Sequence, residues 1–145
     1  MPATQEPEVA NAARIDGTGV LCFTYHVEAG QINVNLPLIY KWLIQDVQGK
    51  LVGVYIGKSK SGRERPTSHY RRNVLNVLAG KPYRKNKVSG FRKVHLALAE
   101  ATRMGHKIEL HFICNLNPEE NIDRVEKEWI ESMNCKGTQS WQLNG

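Results

Sequence analysis

The sequence predicts a single α/β (α+β) domain. Two segments, 38–46 and 50–56, are apolar on both faces over much of their length, as central strands of a covered sheet are. Later segments repeat their apolar residues at helical spacing, and 107–114 alternates at strand spacing between two of them. With 145 residues and 41 % hydrophobic content, one core of ordinary size can form.

The elements follow in order. Residues 1–18 are rich in Pro, Ala, Glu and Asn and read as a flexible lead-in, without the basic start and apolar stretch of a secretory signal. Residues 19–27 are strand-like, 28–30 can turn, and 31–36 would return as the second arm of a hairpin ending at Pro37. The domain proper then occupies 19–145 with this hairpin (19–36) in front. A second hairpin joins 38–46 to 50–56 through Val47-Gln48-Gly49, and 57–62 reads as a loop. Pro66 suits the first turn of a helix reaching Ala79, with Gly80 as its stop. On that helix Tyr70, Val74, Val77 and Leu78 share one face, and Arg65, His69, Arg72 and Asn73 the other. A basic loop spans 81–90, and Ser89 is placed to cap a helix over 91–104 whose Phe91, Val94, Leu98 and Ala101 face inward. In the strand 107–114, Ile108, Leu110, Phe112 and Cys114 share a face. Asn117-Pro118-Glu119-Glu120 has the composition of a helix start.

No run approaches the roughly 20 apolar residues of a membrane span. Three cysteines without paired or zinc-ligand spacing point to reduced thiols in a cytoplasmic setting. The net charge is +6, yet residues 58–93 alone hold twelve Lys and Arg against one acid, Glu64, which leaves the remainder near −5. Such concentration suits a phosphate backbone.

The last helix carries a carboxylate on its apolar side. At about 100° per residue, Glu126 falls within the arc of Ile122, Val125, Trp129, Ile130 and Met133, whereas Glu128 and Glu131 fall outside it. A carboxylate so placed needs a cation or several donors. A buried salt bridge would satisfy it. So would a metal ion, since one carboxylate, phosphate oxygens and waters suffice to hold Mg²⁺.

Leu38-Ile39-Tyr40, Tyr55-Ile56-Gly57, Arg65, His69, Glu126 within Glu126-Lys127-Glu128-Trp129-Ile130, and Asn144 together resemble the GIY-YIG nucleases over roughly 36–144. Leu38 stands where that family's first motif usually has glycine, and Pro66 directly follows the matched arginine. The resemblance implies a central three-stranded antiparallel sheet flanked by helices, and hydrolysis of phosphodiesters in double-stranded DNA with one Mg²⁺ (or Mn²⁺). It implies Tyr40 as general base, with Tyr55 and Lys58 or Lys60 positioning water or phosphate. Nearby cations would have to favour the Tyr40 phenolate, since a free tyrosine titrates near 10. Arg65 would stabilise the charge on phosphorus, Glu126 would hold the metal, His69 would bind a phosphate or donate a hydrogen bond, and Asn144 would orient the glutamate or a nearby backbone. The expected nucleic-acid contacts are Lys58, Lys60, Arg63, Arg72, Arg84, Lys85 and Lys87. Double-strand cleavage would take a homo-oligomer on DNA or two visits.

Each residue also has a plainer reading. Tyrosines pack in strands for their own sake, an arginine and histidine one turn apart often form a solvated face, and Trp42, Trp129 and Trp141 read as core or rim. His95, His106 and His111 show no convergent ligand spacing. An inactive DNA-binding module of the same fold, or an RNA-directed nuclease, stays compatible with the sequence, because backbone charge does not separate the polymers.

Overall fold

The computed structural model describes residues 22–83 and 90–144. Four strands form one mixed sheet: β1 (His26–Glu28), β2 (Leu38–Gln45), β3 (Leu51–Ser59) and β4 (Lys107–Asn115). Their order across the sheet is β1-β4-β2-β3. Arg65–His69 forms a wide π-type turn that runs directly into helix α1 (Tyr70–Leu78); α2 (Lys93–Met104) and α3 (Ile122–Met133) complete the fold. The class is α+β. No helix among the described residues is long and apolar enough to cross a membrane.

Parity along the strands divides the core in two. Leu38, Tyr40, Trp42 and Ile44 of β2 join Tyr55 of β3 and Ile108, Leu110 and Phe112 of β4 in a cluster covered by Tyr70, Val74, Val94, Leu98 and Ala101 from α1 and α2. Ile39, Val54 and Ile56 belong to the opposite cluster with Val125, and Trp129, Ile130 and Met133 of α3 pack against it. Both faces are covered, so the central strands carry almost continuous apolar runs.

Several expectations need correction. The sheet has four strands rather than three, and one pairing is parallel: β1 lies beside β4 with His26 opposite Glu109. The expected hairpin over 19–36 does not form within the described residues. Its second arm is a loop held by Asn115, whose side chain accepts from Asn33 N at 2.8 Å and donates to Asn33 O at 2.9 Å and Pro37 O at 3.1 Å. Arg71 fastens the preceding segment, lying over the rings of Phe23 and Tyr25 and donating to Phe23 O at 3.2 Å. The loop expected from Gly57 begins later, because β3 continues to Ser59.

Helix starts also differ. Asn117 heads a turn, accepting at its carbonyl from Glu120 N, and the cap is Asn121, whose side chain accepts from Asp123 N at 2.9 Å and Arg124 N at 3.1 Å. Helix α2 begins two residues later than expected, behind Arg92 rather than Ser89. The pairing slips between Ile39/Cys114 and Tyr40/Phe112, a bulge that moves Cys114 out of the face it would share with Phe112. Asn73 is buried rather than on a solvated helix face. The lead-in 1–18, the strand start 19–21, Ser89, Arg84, Lys85 and Lys87 lie outside the described residues.

One close approach sets the geometry near the site. Tyr40 and Gly57 are directly paired across β2 and β3, and the Tyr40 ring lies flat against the glycine. A Cβ at 57 would overlap Tyr40 Cζ and stand 2.7 Å from Cε1. The ring is 1 % exposed and has no room to withdraw. Gly57→Ala should therefore cost about 1–3 kcal/mol, as overpacking does, lowering the midpoint in urea unfolding. Gly53→Ala meets only the end of the Leu143 side chain, Cδ1 at 2.9 Å, and should stay within about 1 kcal/mol of the parent. Equal losses at the two positions would refute this role for Gly57.

Candidate functional site

A cleft of about 500 Å³ opens beside the far end of β3, lined by Tyr40, Tyr55, Lys58, Lys60, Ser61, Arg65, Arg92 and Glu126. It draws on four parts of the chain. Tyr40 and Tyr55 come from the sheet face under α1 and α2, Lys58 and Lys60 from the end of β3 and just beyond, Arg65 from the wide turn, and Glu126 from α3 on the opposite face. The cleft therefore straddles the sheet at its β3 edge.

Local sequence explains each placement. Gly62, with φ of 72°, brings its backbone against Val34 O, and Arg63 N donates to that same oxygen at 2.8 Å. This anchors the loop just ahead of Arg65. Pro66 is buried in the first turn, where its missing N–H costs little. Arg65 faces the cleft, while Arg63 is exposed and lines none of the clefts described here.

Three tyrosines pack in a triangle behind the cleft. Ring centroids lie 6.4 Å apart for Tyr40–Tyr55, 5.9 Å for Tyr40–Tyr70 and 6.4 Å for Tyr55–Tyr70. The hydroxyls of Tyr40 and Tyr70 share a hydrogen bond of 3.0 Å. Arg92 Nη1 donates to Tyr55 Oη at 3.0 Å, which takes one lone pair and directs the phenolic proton elsewhere. Burial raises the Tyr40 pKa well above the ordinary tyrosine value; its neighbour Tyr55 adds to the rise, and the Tyr70 hydrogen bond, Arg65 and Arg92 oppose it. The lowered phenolate that the sequence called for is thus not a property of the free protein.

The carboxylate of Glu126 is 19 % exposed, with Lys58 Nζ 3.6 Å from Oε1. Burial raises its pKa from the usual carboxylate range, and Lys58 counteracts this. Lys58 also binds Asp123, one helical turn earlier on α3, in a shorter contact; that hydrogen bond is the main reason its own pKa is raised. Glu128, by contrast, faces solvent and pairs with Arg124 at 3.1 Å. No group of three or more His, Cys, Asp or Glu gathers among the described residues, so these side chains do not form an all-protein metal cage. A single half-buried carboxylate facing an open cationic cleft does fit Mg²⁺, which retains waters and borrows phosphate oxygens.

Of the two roles expected of Asn144, its hydrogen bonds match the second, holding a backbone beside the site. Its side chain accepts from Ile56 N at 2.8 Å and donates to Ile56 O at 2.7 Å, so the amide acts as a further peptide group on the β3 edge. Backbone bonds from Val54 N to Trp141 O, 2.9 Å, and from Leu143 N to Val54 O, 3.1 Å, precede it. Asn144 lines a neighbouring cleft of about 470 Å³ with Tyr55, Lys58, Arg92, Lys93, Glu126, Ile130 and Leu143.

His69 and Arg72 line neither of these. They face a third, smaller cavity of about 180 Å³ with Arg65, Tyr70, Asn73, Tyr83, Arg92 and His95. Arg92 is thus common to all three cavities, and it is the residue that sequence reasoning missed. It stands beside Lys93 at the end of the basic stretch 58–93, so nothing in the local pattern separated it from a solvated cation. Its position directly before α2 was the available signal, hidden by the earlier helix start.

His95 is also more than a core residue. Arg92 N donates to His95 Nδ1 at 3.1 Å, so the ring proton sits on Nε2, 3.4 Å from the Asn73 amide. The atom placed there is Asn73 Nδ2, and the amide turned about would let its oxygen accept this proton. Burial chiefly, with Arg92 and Arg65 beside it, pushes the His95 pKa down to about 4.

No protein-family model, curated protein or solved structure matches this chain.

The His95 environment predicts a pH dependence of stability. An unfolded histidine titrates near 6.5, so below that value the unfolded chain takes up a proton that the folded chain refuses. The contribution is complete above about pH 6.5 and is lost progressively as the pH falls towards 4, amounting to about 1–3 kcal/mol. Urea unfolding across this range should show the decline, and His95→Gln should flatten it. An unchanged slope in the variant would assign the decline to other groups.

Proposed function

We propose that this chain is a metal-dependent endonuclease of the GIY-YIG type, hydrolysing phosphodiester bonds in duplex DNA. The observation that carries the proposal is the single cleft in which two strand tyrosines, Arg65, Lys58 and the half-buried Glu126 meet. They come from β2, β3, the wide turn and α3, so no local sequence effect places them together.

Each residue takes a role that its surroundings permit. Arg65 has no ion-pair partner among the described residues and faces the cleft, so its guanidinium is available to the negative charge that builds on phosphorus. Glu126 would hold Mg²⁺ or Mn²⁺, and that ion would supply Lewis acidity towards the phosphate and the leaving oxygen. Lys58, bound to Asp123 and close to Glu126, positions a phosphate oxygen on the other side. Tyr40 accepts the proton of the attacking water. Its burial opposes the phenolate, while Tyr70, Arg65 and Arg92 all favour it. Arg92 fixes the Tyr55 hydroxyl, and Asn144 fixes the strand between Tyr55 and Gly57. Lys60, Arg63 and Arg72 provide exposed charge for the backbone.

Plasmid nicking with and without Mg²⁺ tests the reading. Glu126→Gln should abolish cleavage and keep DNA binding, while Glu128→Gln should behave like the parent. Arg65→Ala should slow turnover by about 100- to 1,000-fold, with Arg63→Ala costing far less. A protein that binds duplex DNA but never cuts it would instead be an inactive module, and a preference for structured RNA over duplex DNA at matched salt would redirect the substrate.

The proton acceptor has its own test. Tyr40→Phe keeps the ring against Gly57 but removes the acceptor, so folding should survive and turnover should fall by about 100- to 10,000-fold. Because burial raises this group, the rate of the parent should climb with pH without a plateau near neutrality. Tyr40→Phe cutting within a few-fold of the parent would reduce Tyr40 to packing and move the role to Tyr55.

A further inference from the structure

The cavity of about 180 Å³ beside the main cleft is not needed to hold the scissile group, yet it is built like an anion site. Its walls are Arg65, His69, Arg72 and Arg92, and no carboxylate lines it among the described residues. The side chains of Arg65, His69 and Arg72 make no ion pair or hydrogen bond among the described residues. Three arginines lining one small space repel each other, and an anion entering it relieves that repulsion.

The floor is polar, buried and fixed. Asn73 is 7 % exposed and His95 1 %, they contact each other, and the backbone of Arg92 holds the His95 ring. His95 is neutral at ordinary pH, so it adds no further charge to the cavity, and its ring is held between Arg92 N and the Asn73 amide. The cavity, about 180 Å³, is well under half the size of the main cleft of about 500 Å³. That suits a phosphate group with some of its hydration, and is too small for a nucleoside.

Arg65 and Arg92 line both this cavity and the main cleft. A strand whose scissile phosphate lies against Arg65 in the cleft would therefore carry its neighbouring phosphate to the other side of the same two guanidiniums. We propose that the pocket of His69, Arg72, Asn73, Arg92 and His95 binds the phosphate adjoining the scissile one on the same strand. This identification of the ligand rests on the nuclease reading. The anion site itself rests only on the charges and the buried floor. Arg72 belongs to this pocket alone, which makes it the residue to test.

Inorganic phosphate is titrated into the labelled full chain, following the ring signals of His69 and His95 by nuclear magnetic resonance. Saturable shifts are expected, with Arg72→Ala weakening the phosphate affinity by about tenfold or more, as loss of a charged hydrogen bond does. Shifts confined to Tyr40 and Tyr55, or an affinity unchanged in Arg72→Ala, would overturn the site.

Cleavage is then measured on duplexes carrying a neutral methylphosphonate at the phosphate on one side or the other of the scissile bond. On the ordinary duplex Arg72→Ala should raise KM about tenfold with kcat within a few-fold. On one of the two neutral duplexes the variant and parent should have the same KM. An Arg72→Ala effect that persists on both neutral duplexes would overturn the assignment to the adjoining phosphate. Saturable phosphate binding without any cleavage would keep the anion site, remove its nucleic-acid ligand and sink the nuclease reading. Cleavage without phosphate in the pocket would do the reverse.

Discussion

The contact between the Tyr40 ring and the bare backbone of Gly57 is the constraint on which the site depends. The two residues face each other across β2 and β3, and the absence of a Cβ lets the ring lie down over the partner strand. Tyr40 then reaches Tyr70, the first residue of α1, at 3.0 Å. That hydrogen bond and the ring packing around it seat α1 on the sheet. Arg65 lies one turn earlier on the same continuous segment, so its direction is inherited from where Tyr70 is held. A side chain at 57 would push the ring outward, and the displacement would pass through Tyr70 to Arg65. One glycine thus couples the packing of the core to the position of the cation nearest the proposed chemistry.

The second constraint is the edge of the sheet. Along β3, Tyr55 and Gly57 face α1 and α2, while Ile56 and Lys58 face α3. Only beyond an edge strand can groups from both faces reach a common space, and β3 is that edge. The C-terminal segment pairs with its first half through Trp141 and Leu143, and the Asn144 side chain carries the pairing one residue further, to Ile56. Among the described residues the pairing reaches no further than Ile56, and the cleft begins beyond that point. An edge strand is ordinarily a hazard for aggregation; here its far end is largely buried and carries Lys58, with Lys60 just beyond.

Much of this could be read before any coordinates. The strands read at 38–46, 50–56 and 107–114 were legible because their apolar runs leave few other options, although β3 runs on to Ser59, and Glu126 because helical phase alone separates it from Glu128. The failures have physical reasons. Residues 19–36 look like a hairpin locally, but alternation does not say which strand is the partner, and a long-range parallel pairing with β4 won. Asn117 has the composition of a cap, yet its side chain is not used, and Asn121 four residues on satisfies the helix instead. Asn73 was placed on a solvated face by phase, whereas His95 on α2 supplied a partner that made burial affordable. Arg92 was invisible for a different reason: its importance comes from Tyr55 Oη and from the cleft it shares with Arg65 and Glu126, all far from it in sequence.

Charge explains why these parts work together. The main cleft gathers Lys58, Lys60, Arg65 and Arg92 against Glu126 alone, an excess that would be unfavourable without a polyanion to meet it. Glu126 is nevertheless not fully committed to Lys58. Asp123 holds that ammonium more closely, leaving the contact to Glu126 at 3.6 Å as the looser of the two. Asp123 is exposed and its carboxylate is stabilised mainly by the hydrogen bond from Lys58, so the pair sits at the solvent side while Glu126 stays half-buried. A divalent cation approaching Glu126 would displace only the weaker contact, and Lys58 would keep Asp123. The i, i+3 spacing of the two acids on α3 thus leaves the lysine to Asp123, and Glu126 free for the metal proposed above.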